Sequence, residues 1–136
     1  MKKEGFMDWL NDNSMMLAQK TLDVTWAKQK TALDNIANVD TPGYKAKYVL
    51  FEDELRSKLS RFEGKMAVNK SDISHAIKSA RMQVRQSDAE TIRMDDNNVN
   101  LDVEELEVTR NTYQYEYALR QISDQLSRLR LAIEGR

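Results

Sequence analysis

The carboxylate and amide side chains between residues 96 and 107 have a spacing that could bind calcium. Oxygen-bearing side chains occupy positions 1, 3, 5, 9 and 12 of an EF-hand loop template: Asp96, Asn98, Asn100, Glu104 and Glu107. The sixth position needs glycine for a sharp turn, and here it is Leu101. A helix N-terminus rich in capping side chains explains the same residues better, and a calcium-binding module is kept as a rival interpretation.

Other residue types that do chemistry are scarce in this chain. His75 is the only histidine, and it lies in a polar stretch without a recognisable nucleophile motif. The chain has no cysteine, which excludes disulfides and thiolate metal ligands. Its carboxylates are spread along helical patterns as solvated charges. We therefore predict that the protein is not an enzyme and has no catalytic, cofactor-binding or metal-binding residues.

The composition argues against binding to nucleic acid and against a membrane span. The 136 residues carry a formal net charge of -1, so no basic surface for a polynucleotide is expected. Without a basic groove, Tyr113, Tyr115 and Tyr117 are interpreted as packing or interface residues rather than as a base-stacking platform. No stretch approaches the roughly 20 apolar residues that a spanning helix needs. Residues 1–10 lack the apolar run of a secretory signal, so none is expected.

Two long heptad patterns dominate the chain, which is 32% charged with four glycines and one proline. They predict helices over residues 14–39 and 102–134, because apolar residues recur in steps of three and four. The residues predicted to pack these helices together are Leu22, Trp26, Leu33, Ile36, Tyr115, Leu119, Ile122, Leu126, Leu129 and Ile133. We predict one mainly α domain over residues 1–136, with the two terminal helices paired as an antiparallel coiled coil.

The connecting segment, residues 40–100, is predicted to contain a turn, a short helix and an irregular or partly extended arm. Residues 41–44 have the sequence of a type II turn, with proline second and glycine third. Residues 51–62 space their apolar side chains as a short amphipathic helix does, and Gly64 is placed to end it.

The later part of the connecting segment is the least informative. Within residues 65–91 the sequence favours a helical turn near 71–77, followed by an extended arm or a loose hairpin from residue 84. Few apolar side chains are available there to offset the entropy of ordering the chain. At its end, Asp102 is predicted to cap the second long helix, because Glu105 lies three residues on, at the spacing of a capping box.

The two helices carry more apolar surface than one packing line can bury. The apolar residues off that line are Met16, Leu17, Val24, Leu106, Tyr113, Tyr117 and Leu131. Phe6, Met7, Trp9 and Leu10 add further apolar surface near the start of the chain. A pair of helices of this size is only marginally stable by itself, so we expect the surplus to be buried against other chains.

Two stretches resemble a known family. Residues 35–46, with the sequence Asn-Ile-Ala-Asn-Val-Asp-Thr-Pro-Gly-Tyr-Lys-Ala, resemble the signature of flagellar rod and hook proteins. Residues 93–102 are similar to the segment that precedes the C-terminal helix in proximal-rod members of that family. The matching positions are Asn35, Asn38, Asp40, Thr41, Pro42, Gly43, Tyr44, Asn97, Asn98, Val99, Leu101 and Asp102. Asp34 and Asn100 depart from the common pattern.

The resemblance implies a structural subunit of the proximal rod of the bacterial flagellar basal body. Such subunits assemble by helix packing into a hollow shaft that transmits torque, and the matching positions would serve that assembly. The implied partners are further copies of the chain, the rod proteins FlgC and FlgF, the adapter FliE, and the export gate at the MS-ring base. The implied location is the periplasm-spanning rod, reached by type III export without a cleaved signal peptide.

Two further interpretations stay open. One is another axial rod protein, from which only the stretch at residues 97–102 separates this chain. The other is a soluble coiled-coil adaptor that works as a discrete dimer.

Overall fold

The computed structural model describes residues 13–91 and 93–135, which form four α-helices and two short strands. In chain order the elements are α1 (Asn13–Ala37), β1 (Lys47–Leu50), α2 (Glu52–Leu59), α3 (Lys70–Ser79), β2 (Gln83–Gln86) and α4 (Leu101–Glu134). A 3₁₀ turn at Ser60–Phe62 continues α2. The expectations for residues 1–12, including Phe6, Met7, Trp9 and Leu10, lie outside the described residues.

The long helices α1 and α4 pack side by side in opposite directions. At one end Gln125 Nε2 donates to Ser14 Oγ at 2.7 Å, and at the other Asn35 Nδ2 donates to Glu104 Oε1 at 3.0 Å. The start of α1 therefore meets the later part of α4, and the end of α1 meets its beginning. The predicted mainly α fold with an antiparallel pair of long terminal helices is confirmed. No helix in the described part of the chain is long and apolar enough to cross a membrane.

Small and polar side chains are the most deeply buried residues along the two long helices. On α1, Ala18, Thr25 and Ala32 are at most 4% exposed, and on α4 Asn111 and Ala118 are 1% exposed. On each helix these residues are seven positions apart, which is the spacing of a coiled-coil contact line. Their short side chains allow a close approach of the two backbones.

The packing line predicted from the sequence is displaced from this contact line. Its half-buried members flank the contact: Leu22, Ile36, Tyr115, Ile122 and Leu129. Its other members are 41–63% exposed: Trp26, Leu33, Leu119, Leu126 and Ile133. Trp26, Leu33 and Leu119 each directly follow a contact-line residue, and Leu126 and Ile133 continue the row on α4 in steps of seven. Both lines share the heptad period, so hydrophobicity alone favoured the larger side chains over the small ones that actually face the partner helix.

The connecting segment at residues 40–100, called the middle segment from here on, packs against one side of α1. Val24 of α1 forms a buried cluster with Phe51 and Ala80. From the same helix, Lys20 Nζ donates to the carbonyl oxygens of Ala80 and, at 2.9 Å, of Lys78. Because these carbonyls lie at the C-terminal end of α3, the lysine fixes that end against α1. Burial, followed by repulsion from neighbouring cations, lowers the pKa of Lys20.

The middle segment is more regular than the sequence indicated. β1 and β2 pair antiparallel, from Lys47 opposite Gln86 to Leu50 opposite Gln83. The helical turn expected near residues 71–77 is a full helix, α3. The strands are separated by more than 30 residues, so no local pattern could have revealed their pairing.

Two predicted boundaries have different outcomes. Gly64, with φ of +79°, follows the short helix and its 3₁₀ turn, as expected for a residue that ends a helix. The cap of α4 is Asn100 rather than Asp102, since Asn100 has extended backbone angles and its Oδ1 accepts from Val103 N at 3.3 Å. An asparagine that directly precedes the first helical residue is placed to accept this bond, and Asp102 already lies inside the helix.

Candidate functional site

The two sequence motifs meet where α1 ends and α4 begins, and we call this contact between residues 35–47 and 93–104 the junction. α1 leads into a turn in which Tyr44 N donates to Thr41 O at 3.3 Å. Gly43 takes the third position with φ of +71°, which confirms the type II turn. A Cβ at Gly43 would meet nothing within 4 Å, so the requirement for glycine comes from the backbone angle and not from crowding.

Asn97 closes the end of α1 from a distant part of the chain. It is fully buried, and its Nδ2 lies 2.9, 3.0 and 2.9 Å from the carbonyl oxygens of Asn38, Val39 and Thr41. Its Oδ1 accepts from Val99 N at 2.8 Å. These three carbonyls belong to the turn that directly follows α1, so this amide fixes the path of the chain where it leaves the helix.

Asn35 performs the corresponding role on the other side of the junction. Its Oδ1 accepts from Lys47 N at 2.9 Å and from the Tyr44 hydroxyl at 3.3 Å. Its Nδ2 donates to Lys47 O at 2.8 Å and to Glu104 at 3.0 Å. One buried amide thus joins α1, β1 and α4. Burial raises the pKa of the Glu104 carboxyl, the bond from Asn35 opposes this, and repulsion from Glu107 adds to it.

Asn98 connects the junction to the strand that follows α3. Its Oδ1 accepts from Ala46 N at 2.6 Å. Its Nδ2 lies 3.3 Å from Ser87 O and 3.1 Å from Ala89 O. The second motif therefore positions both the residue before β1 and the residues after β2, so it holds the two-stranded sheet against the helix pair.

Charged side chains, which the sequence analysis did not select, complete the junction. Arg93 Nη2 lies 2.8 Å from Asp95 Oδ2, and its Nη1 donates to Val39 O at 2.9 Å. The Asp95 carbonyl accepts from Gly43 N at 2.7 Å, which connects the turn directly to the second motif. The signal that could have identified these residues is the turn-forming Asp-Asp-Asn sequence at residues 95–97, since such residues bond neighbouring backbone groups.

A second candidate region is the side of the helix pair that the middle segment leaves uncovered. We call it the open face and define it by Trp26, Leu33, Leu119, Leu126 and Ile133. In an antiparallel pair, positions that directly follow the contact line point to the same side on both helices. Val24 precedes the contact line and points to the covered side, in agreement with this geometry.

The open face contains a shallow groove of about 520 Å³ between the helices. Its lining residues are Trp26, Gln29, Lys30, Leu33, Asp34 and Tyr115. The Lys30 ammonium lies 5.8 Å from the centre of the Trp26 ring, within range of a cation–π contact. Large apolar side chains in a row on one surface are typical of a protein–protein contact.

The residues of the calcium template are used for other purposes. The Oδ1 atoms of Asn98 and Asn100 accept backbone N–H groups, and Glu104 accepts from Asn35. Among residues 13–91 and 93–135, no group of three or more His, Cys, Asp or Glu side chains is placed to hold a metal ion. The geometry of these residues agrees with the capping interpretation.

Comparison with known proteins decides the family. A family model described as "Flagella basal body rod protein" matches residues 13–45, which cover α1 and the turn. The flagellar basal body rod protein FlgB of Bacillus subtilis is 32% identical over 111 residues, which span 79% of this chain and 83% of that protein. The chain belongs to the FlgB family.

Other FlgB proteins match over still more of the chain. FlgB of Escherichia coli is 28% identical over 124 residues, 85% of this chain and 88% of that protein. FlgB of Cereibacter sphaeroides is 29% identical over 134 residues, 96% of this chain and 98% of that protein. The resemblance noted in residues 35–46 and 93–102 thus extends through the connecting segment, and its assignment to flagellar rod proteins is confirmed.

The junction divides the motif positions of this FlgB-family chain into two sets. Those buried or half-buried within the chain are Asn35, Asn38, Tyr44, Asn97, Asn98 and Val99. Those exposed on the surface are Asp40, Thr41, Pro42, Gly43, Leu101 and Asp102. The first set holds the fold together, as its hydrogen bonds show. The role of the whole set in assembly stays a prediction.

Proposed function

We propose that this FlgB-family chain is a structural subunit of the proximal rod and that the open face is its main contact with neighbouring subunits. The observation that supports this is the exposure of five large apolar side chains on the uncovered side of a helix pair. Fully burying one such side chain stabilises by about 1.5–3 kcal/mol. Several burials of this size favour association of the chain with its neighbours.

The assembly that we propose is a hollow helical shaft. The open face and the outer side of the middle segment are different surfaces, so contacts between them are heterologous. Heterologous contacts that do not close into a ring continue into a helical array. Packed protein interiors compress very little, so such an array passes a twist from one subunit to the next. Torque transmission is therefore a mechanical consequence of close packing and requires no catalytic residue.

The proposed partners are further copies of the chain, the rod proteins FlgC and FlgF, the adapter FliE and the export gate at the MS-ring base. The exposed turn residues Asp40, Thr41 and Pro42 provide a second contact surface at the junction. The proposed location is the rod that crosses the periplasm, reached by type III export without removal of a leader.

Leu126→Asp tests the proposal, because it places a charge on the open face without entering the contact between α1 and α4. We expect a folded chain that fails to restore motility in cells lacking their own copy of the gene, with no rod in purified basal bodies. The matched control is Ser127→Asp, which adds the same charge one residue away at another exposed position of α4. Normal rods with Leu126→Asp would refute the open face as a contact.

A mass measurement separates the rod subunit from the soluble adaptor. An adaptor forms a dimer whose mass does not change with concentration, whereas a subunit with an unsatisfied apolar face associates progressively as its concentration rises. Sedimentation equilibrium over a wide concentration range distinguishes these outcomes.

A further inference from the structure

The outer strand of the two-stranded sheet has an edge without a partner in the described part of the chain. All four residues of β2 are exposed, including Val84 at 60%, and Met82 just before the strand is 45% exposed. A two-stranded sheet is marginally stable unless another strand or a helix supports it. β1 lies against α1, whereas no residue of β2 is buried, so support is missing on its outer side.

The direction of the free backbone groups follows from the register. On β1, Lys47 turns both its N–H and its C=O away from β2 and toward the Asn35 side chain. Gln86 stands opposite Lys47. Residues opposite each other in an antiparallel pair point their backbone groups either both inward or both outward. The N–H and C=O of Gln86, and of Val84 two residues earlier, therefore point outward from the sheet.

The charge on this edge is entirely basic, and the stretch that follows it is acidic. Arg81 and Arg85 are exposed, and no carboxylate occurs from residue 81 to 87. Asp88 and Glu90, also exposed, come directly afterwards. None of these four residues takes part in the ion pairs found among residues 13–91 and 93–135.

The acidic stretch has a free edge of its own. Asn98 binds the carbonyls of Ser87 and Ala89 from one side. Both carbonyls face Asn98, as alternate residues of an extended chain do, so we infer that the backbone groups of Asp88 and Glu90 point away from Asn98. The basic strand and the acidic stretch are consecutive in one chain and cannot lie beside each other within a single molecule. A second copy can bring its acidic stretch beside the basic strand, where the charges are complementary.

We propose that the outer edge of β2 receives residues 88–90 of a second copy of this chain as an added strand. The added strand runs parallel to β2, so that its backbone supplies partners for the outward groups of Val84 and Gln86 while its carboxylates lie on the sheet face of Arg81 and Arg85. The contact is heterologous, since each copy offers one edge and inserts one stretch, and it therefore propagates from copy to copy. This inference rests on the proposed self-assembly and adds a contact separate from the open face.

Val84→Pro tests the backbone part of the contact. Proline removes an N–H that points outward, so pairing with β1 is retained while the edge loses a donor. We expect self-association of the purified chain, measured by sedimentation equilibrium, to weaken about tenfold, as loss of one hydrogen bond implies. The matched control is Val84→Thr, which keeps the N–H and should associate like the original chain. Circular dichroism checks that both variants fold.

Charge reversal tests the identity of the occupant. Arg81→Glu with Arg85→Glu should weaken self-association, and so should Asp88→Lys with Glu90→Lys. A mixture of these two variants should associate again, because each reversed edge then meets a reversed stretch. Failure of the mixture to associate would overturn the assignment of residues 88–90 as the occupant. If Val84→Pro associated normally but gave non-motile cells, the edge would belong to another protein and the second-copy contact would be wrong.

Comparison with Leu126→Asp separates this inference from the proposed function. If Leu126→Asp abolishes association and Val84→Pro leaves it unchanged, the open face stands and the added strand is refuted. If Val84→Pro abolishes association and Leu126→Asp leaves it unchanged, the strand contact stands and the open face is refuted. A purified chain that stays monomeric at every concentration would refute both contacts between copies.

Discussion

The junction and the open face use their side chains in opposite ways. At the junction, Asn35 and Asn97 are completely buried, and their amides are satisfied by groups of the same chain. On the open face, Trp26 is 61% exposed and Leu126 is 46% exposed. Polar groups thus hold the subunit together, while large apolar groups face outward. We infer that the junction determines the fold of one copy and the open face determines association, so substitutions in the two regions should fail differently.

The sharpest test of this comparison uses two adjacent residues of α4. Ala118 is 1% exposed and Leu119 is 41% exposed. Ala118→Asp should lower the free energy of unfolding by about 3–5 kcal/mol, because it buries an uncompensated charge between the helices. Leu119→Asp should cost less than about 1 kcal/mol, as exposed substitutions do, yet should prevent rod assembly. Urea unfolding followed by circular dichroism measures both; equal losses of stability would remove the distinction between contact line and open face.

Asn97→Ala should have the next largest effect. It removes the amide that serves three carbonyls of the turn directly after α1, so we expect a loss of about 2–4 kcal/mol in the free energy of unfolding. The matched control is Asn69→Ala, since Asn69 is exposed and makes no capping bond to α3. Urea unfolding is again the measurement. A loss no greater than that of the control would show that α1 does not need this cap.

Gly43→Val should destabilise the junction by about 1–3 kcal/mol, because a β-branched residue is strained at positive φ. Asparagine tolerates such angles, so Gly43→Asn is the control and should cost much less. We expect Gly43→Val to keep its helices, seen by circular dichroism, but to fail to restore motility. Normal motility would mean that the turn adjusts and that its conformation is not required for assembly.

The sequence could predict the helices and the turn because their signals are local. A heptad repeat is present whatever the helix packs against, and proline followed by glycine specifies its own backbone angles. The contact line could not be chosen in the same way. Ala118 and Leu119 stand on neighbouring lines with the same period, and only the distance between backbones decides that the smaller residue faces the partner helix.

The contacts between distant segments could not be predicted from the sequence, for a different physical reason. Asn97 bonds to Asn38, which is 59 positions away in the sequence. Lys47 of β1 stands opposite Gln86 of β2, a strand with a mostly polar sequence. Neither contact produces a repeating pattern in the sequence. The two motifs were recognised as strings, but nothing in either string indicates that Asn97 and Asn98 of the second bond to the backbone of the first.

The smallest expected effect concerns Glu104, where the junction places a carboxylate in a half-buried position. Burial raises its pKa above the ordinary value of 4.5, so the folded chain binds more protons than the unfolded chain between about pH 4.5 and the raised pKa. Its contribution to stability is therefore complete at low pH and is lost as the pH rises through the raised pKa. Glu104→Gln keeps an oxygen that can accept from Asn35 and removes the charge.

The variant should equal the original chain below about pH 4 and exceed its stability by a few tenths of a kcal/mol at neutral pH, because the partly exposed carboxyl is screened by solvent. Urea midpoints measured from acid to neutral pH provide the comparison, with Glu105→Gln on the exposed side of the same helical turn as control. A difference that does not change with pH would mean that Glu104 titrates alike in both states. The ionised Glu104 carboxylate would then not destabilise the folded chain, and the stability of the junction would come from the amide hydrogen bonds alone.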